Sequence, residues 1–152
     1  MKTLRKPLAN AAIITVVSIF YALVFIIISG HIEFGRMLNH AETLNSAFWN
    51  GWSDFLKQGN MKYIGYLYIV ISLVIVIISI VRKKDYDEYQ TGILEKGIIV
   101  MGIALMFLFP IALLLVLSDS SYCIETMMFL IVVHWSVVLI VDLIYVIRRV
   151  QA

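Results

Sequence analysis

The chain has 152 residues, of which 62% are hydrophobic and 14% charged, whereas a soluble domain averages about 45–50% and about 25%. That balance leaves too little polar surface for a water-soluble globule, and a formal net charge of only +2 excludes a basic nucleic-acid binder. The single Cys123 cannot close an internal disulfide and no Cys/His spacing spells a zinc site, so no metal and no cofactor is assigned.

The fold class is all-α, a polytopic membrane protein with four spans in one membrane domain covering 1–152. A helix needs about 20 apolar residues to cross a hydrocarbon layer of ~30 Å. Pro7 to Ile32 contains no Asp, Glu, Lys or Arg, which places a first span near 8–29. Met1 to Lys6 is basic enough to begin a signal peptide. The apolar run behind it exceeds the roughly 7–15 residues of a secretory core, and Gly30-His31-Ile32-Glu33 is no cleavage site, so a retained helix is expected. Within it Ala11, Thr15, Ser18 and Ala22 follow a 4-3-4 spacing, the kind of small-residue stripe that lets helices approach in lipid.

Residues 31–62 are long for a connector. Ala41, Leu44, Phe48, Trp52 and Phe55 recur at three and four, Asn39 and Glu42 fit a capping box, and Gly59 is a natural stop. An amphipathic interfacial helix near 40–58 follows, with Phe48, Trp49, Trp52 and Phe55 as its headgroup-layer residues. It reads either as a lid over the span ends or as a recognition surface for something arriving from outside. Upstream, His31-x-Glu33 and His40-x-Glu42 carry ligand-type side chains, but a spacing of two points them to different helix faces, and solvated interfacial polar groups are the plainer reading.

The second span is placed at 63–81, with Gly65, Ser72 and Ser79 recurring every seven residues, and the third at 97–118, with a kink expected at Pro110. Between them the loop 82–96 mixes bases and acids. Arg82, Lys83, Lys84, Asp85, Tyr86, Asp87, Glu88 and Tyr89, with Arg148 and Arg149 at the C-terminus, form a candidate docking surface for a cytosolic protein, against the alternative of a solvated helical extension.

The fourth span is placed at 126–147, after a short loop 119–125. It holds the intramembrane polar residues His134 and Asp142. An acid at depth usually faces a bundle interior or a wet cavity, and Arg149, seven residues on, is the expected partner of Asp142. His134 is expected to hydrogen-bond a neighbouring helix beside Trp135 and Ser136. Nine of the twelve basic residues fall at the two termini and in the loop 82–96. The positive-inside rule therefore sets both termini in the cytoplasm of a plasma membrane, a bacterial inner membrane by this reading.

No nucleophile stands beside a base at triad spacing, no Gly-rich phosphate loop appears, and no polar file marks a substrate path. An enzyme is not expected. The functional expectation is an oligomeric, non-catalytic membrane protein that senses or seals at its outer face and docks a cytosolic partner. The alternatives are a small oligomeric channel or transporter with Asp142 near its path, and a toxin-immunity protein. In size and layout the chain resembles the four-span membrane subunits of bacterial anti-phage systems such as the Kiwa system. That resemblance implies a membrane-embedded homo-oligomer that detects envelope disturbance and relays it to a cytosolic effector. The partners expected are thus the lipid bilayer, further copies of the chain and a cytosolic protein, with no direct nucleic-acid contact.

Overall fold

A computed structural model describes residues 7–40, 44, 46–81 and 88–148, and all of its regular structure is helical. Helix α1 runs Pro7–Ser29, α2 Ile32–Met37, α3 Ala47–Lys57, α4 Met61–Val81, α5 Glu88–Ser118 and α6 Cys123–Arg148, with a single 3-10 turn at Ser120–Tyr122 before α6. Among the described residues four helices, α1, α4, α5 and α6, are long and apolar enough to cross a membrane. The chain is a multi-pass membrane protein. The expected spans fall inside these helices, with differences at the ends. Glu88 already opens α5, so the second half of the anticipated loop 82–96 is helical, and α6 starts at Cys123, which turns the end of the anticipated loop 119–125 into its first turn.

What buries α1, α4 and α6 is a seam of three- and four-residue steps. On α4 the buried positions are Met61, Gly65, Tyr68, Ser72, Ile75 and Ser79. On α1 they include Ala11, Ser18, Ala22 and Phe25, and on α6 Glu125, Trp135, Leu139, Asp142 and Val146. A 3.5-residue repeat keeps one face of a helix toward its neighbours over many turns, as in left-handed bundles. In lipid the apolar drive between helices vanishes, and close packing with polar contacts takes its place. Gly65 shows how close. A Cβ there would lie 3.1 Å from the Ala22 carbonyl oxygen and 3.2 Å from the Ala22 Cα, so α4 rests on the backbone of α1.

These contacts fix the directions. Lys62 N–H donates to Ser29 Oγ (2.9 Å) while Gly65 meets Ala22, so α4 runs antiparallel to α1. Trp135 Nε1–H donates to Ser18 Oγ (3.1 Å) and Asn10 Nδ2–H to Asp142 Oδ1 (2.8 Å), so α6 is antiparallel to α1 as well. Tyr68 spans from α4 to α6, its hydroxyl donating to the Val132 carbonyl (2.9 Å) and meeting Ser136 Oγ (3.0 Å). Helices α1, α4 and α6 thus form a core. Helix α5 lies along α6, where Gly97 allows it in: a Cβ there would come 2.9 Å from a Val141 methyl. Among its described side chains only Ala112 is buried.

The ends of the bundle are unlike. One holds α2, α3 and the 3-10 turn; the other holds the start of α1 and the end of α6.

Candidate functional site

The lid is α3, and its local chemistry explains its bounds. Ser46 caps its start, the hydroxyl accepting from Trp49 N–H at 3.5 Å. At the other end Gly59 adopts φ +69°, Gly59 N–H donates to the Leu56 carbonyl (2.9 Å) and Asn60 N–H to the Phe55 carbonyl (3.2 Å), the paired bonds of a Schellman stop. A side chain at Gly59 would also meet the Ser29 carbonyl oxygen at 2.7 Å, so the same glycine seats the lid's exit turn on the end of α1. The described helix is therefore shorter than the 40–58 read from the sequence. Asn39 and His40 precede it in non-helical backbone, Glu42 lies outside the described residues, and the short α2 was not anticipated.

The lid's inward face also differs from the expected stripe. Trp49, Ser53 and Leu56 are buried, Trp52 and Phe55 half-buried, and Phe48 is exposed. Phe48 and Trp49 still meet Phe129 of α6 edge-on, at ring-centre distances of 5.4 and 5.6 Å, and Trp52 stacks on Phe55 at 5.4 Å. Ser53, a polar residue, is 2% exposed because a buried acceptor takes its proton.

That acceptor is Glu125, third residue of α6 and 0% exposed. A carboxylate in a first turn is favoured by the unpaired N–H groups and dipole of the helix start. Its Oε1 lies 2.7 Å from His40 Nε2 and accepts Ser53 Oγ–H at 2.8 Å. Its backbone carbonyl accepts Trp52 Nε1–H at 2.9 Å. Nearby, Tyr122 O–H donates to Asn50 Oδ1 (3.0 Å), its ring sits edge-on to His40 (4.6 Å), and its carbonyl accepts Thr126 Oγ1–H (2.8 Å). Three α3 residues, Asn50, Trp52 and Ser53, are in this way tied to the start of α6 and the turn before it. Glu125 Oε2 is buried with no hydrogen-bond partner among the described residues.

Ser53, His40 and Glu125 are the residue types of a nucleophilic triad, but the geometry is not that of a relay. The hydroxyl points its proton at the carboxylate rather than at the imidazole, and both donors share one oxygen. A serine so placed is not hydrogen-bonded to the imidazole as a triad serine is, and it is walled off from solvent. What this arrangement does is hold one element on another. A buried acceptor with charge-assisted donors makes stronger bonds than neutral pairs do, and loss of the acceptor would strand the donors.

At the opposite end Asp142, 3% exposed, receives Asn10 of α1, and its Oδ2 has no hydrogen-bond partner among the described residues. Arg149, the partner expected from the sequence, lies outside them. His134 is half-buried, and the cross-helix bonds beside it are made by Trp135 with Ser18 and by Ser136 with Tyr68. Of the candidate docking residues, Arg82, Lys83, Lys84, Asp85, Tyr86, Asp87 and Arg149 lie outside the described residues; Glu88 and Tyr89 open α5 and Arg148 closes α6. His31 precedes α2, in which Glu33 pairs with Arg36 at 2.7 Å. Compared with known proteins, the chain matches no family model, no curated protein and no solved structure.

Proposed function

We propose that this chain is a non-catalytic, oligomeric subunit of a bacterial inner membrane, with both termini in the cytoplasm. In this reading its amphipathic α3 seals or senses at the outer face, and its inner loop and C-terminus dock a cytosolic protein, in a role such as defence against phage. The observation that carries the proposal is the convergence of side-chain bonds from α3 and His40 on the first turn of α6 and the turn before it. A disturbance that lifts α3 breaks bonds to a helix whose buried Asp142 lies about 25 Å further along, by helix rise over the residues between. The aromatic residues Phe48, Trp49, Trp52 and Phe55 suit a headgroup layer, where such a disturbance would arrive. The basic residues flanking the other end support a cytoplasmic placement of the termini, and mixed charge with tyrosine in 82–96 supports a specific protein contact there.

Co-purification of cytosolic protein with the detergent-extracted chain tests the reading. Reversing Asp85, Asp87 and Glu88 to lysine is expected to abolish retention while membrane insertion stays intact. Glu125→Gln, which loosens the lid at the far end, is expected to change the amount retained at equal expression. Unchanged retention in both variants contradicts the proposal.

A further inference from the structure

The bond that ties the chain before α3 to α6 has a partner that changes charge near neutral pH. Glu125 and His40 meet at 2.7 Å, the carboxylate side chain 0% exposed and the imidazole 16%. A free imidazole titrates at about pH 6.5. Protonated, His40 neutralises the buried carboxylate and makes a charge-assisted bond to it. Neutral, it still donates one N–H, but it no longer compensates the buried negative charge, a costly state that hydration relieves. Hydrating Glu125 means moving what covers it. Ser53 of α3 bonds the same oxygen and Trp52 the backbone carbonyl, so the lid is what moves.

We propose that the lid is a proton-controlled latch, fastened to Glu125 when His40 is protonated and loosened when the proton leaves. The closed lid holds that proton more tightly than the open one, so closure is favoured in acid and weakens as pH rises through the imidazole range. Other charged groups at this end are set apart from the pair. Glu33 and Arg36 of α2 bond each other in the exposed layer, as Asp54 and Lys57 of α3 do, and His31 is exposed. Lys62 of α4 lies over the Tyr63 ring, Asp119 caps Ser121 N–H, and Tyr122 gives His40 a ring edge. Glu42 lies outside the described residues and is tested directly below. The inference rests on the sealing-or-sensing role of α3 proposed above and names the proton as its input. It needs neither a cytosolic partner nor a membrane orientation, so its failure leaves the co-purification result standing.

The test is maleimide labelling of Leu56→Cys in the full-length, detergent-purified chain with Cys123→Ser, at about pH 5.5 and about pH 8. Each rate is divided by that of the same chain carrying His40→Gln, which keeps a neutral donor and takes up no proton. The pH dependence of the thiol itself cancels in this ratio. The ratio is expected to be about sevenfold lower in acid, the change linkage gives when the closed lid holds the proton about tenfold more tightly than the open one. Placing Glu125→Gln in both chains is expected to flatten the ratio, and placing Glu42→Gln in both to leave it steep. Unfolding midpoints of chains without the new cysteine repeat the comparison, with wild type expected to exceed His40→Gln by more in acid than at pH 8. A ratio that ignores pH, or falls as pH rises, overturns the latch. A steep ratio that survives Glu125→Gln, or is lost with Glu42→Gln, gives the proton's effect to another acid and overturns it as well.

Discussion

Helices α4 and α5 are alike in their long apolar runs and unlike in how they are held. Six positions of α4 are buried at steps of four and three, whereas α5 buries Ala112 alone among its described side chains. Tyr68 of α4 bonds α6, and Gly65 lies on the α1 backbone. The comparison separates two properties that hydropathy confounds. Apolarity places a helix in the bilayer; small and polar residues at a 3.5 repeat place it in a bundle. Helix α6 carries the strongest version of that rule, since the lid, α1 and α4 all send side-chain hydrogen bonds to it.

Substitutions can break this contrast. The largest effect is expected at Glu125→Ala, which strands His40 and Ser53 at a buried site and should cost about 3 kcal/mol, read from denaturant or thermal unfolding in detergent. Gly65→Ala drives a methyl onto the α1 backbone, which cannot yield as a side-chain tip can, and is expected to cost about 1–3 kcal/mol. Ser53→Ala removes one donor while His40 still serves the same oxygen, so a loss of about 1 kcal/mol is expected. Gly102→Ala on α5 meets nothing within 4 Å and is expected to change stability by less than about 1 kcal/mol, the scale of helix propensity. Equal losses at Gly65 and Gly102 would erase the distinction between core and peripheral span.

Much of this is written in the sequence in a legible form. Three uncharged runs, and a fourth broken only by Asp142, mark the spans, because each is long and apolar enough for a helix to cross hydrocarbon, and the recurrence of Gly65, Ser72 and Ser79 every seven residues marks the α4 seam. The lid's stop at Gly59 is legible too, as a glycine that must take positive φ. Its start is not: the capping pattern at Asn39 and Glu42 competes with Ser46, and the helix uses the latter. Glu125 is the residue that sequence reasoning passes over. It stands at the edge of a run, where an acid reads as an ordinary first-turn residue, and its partners Ser53 and His40 are 72 and 85 positions away. The signal that could have found it is periodic: stepping back by threes and fours from Asp142 through Leu139, Trp135, Val132 and Met128 arrives at Glu125. The same limit applies to the bond that Asp142 accepts from Asn10, 132 positions earlier. Polar groups in a membrane bundle choose partners by depth and face, and chain distance carries no information about either.

The central claim is that Glu125 holds α3 on α6. Its most direct measurement is the rate at which a hydrophilic maleimide labels Leu56→Cys, a buried lid position, in detergent-purified protein with Cys123 replaced by serine. The account predicts slow labelling with Glu125 present and labelling about tenfold faster after Glu125→Gln, the equivalent of about 1.4 kcal/mol of charge-assisted bonding lost. Equal rates with and without the carboxylate would contradict it.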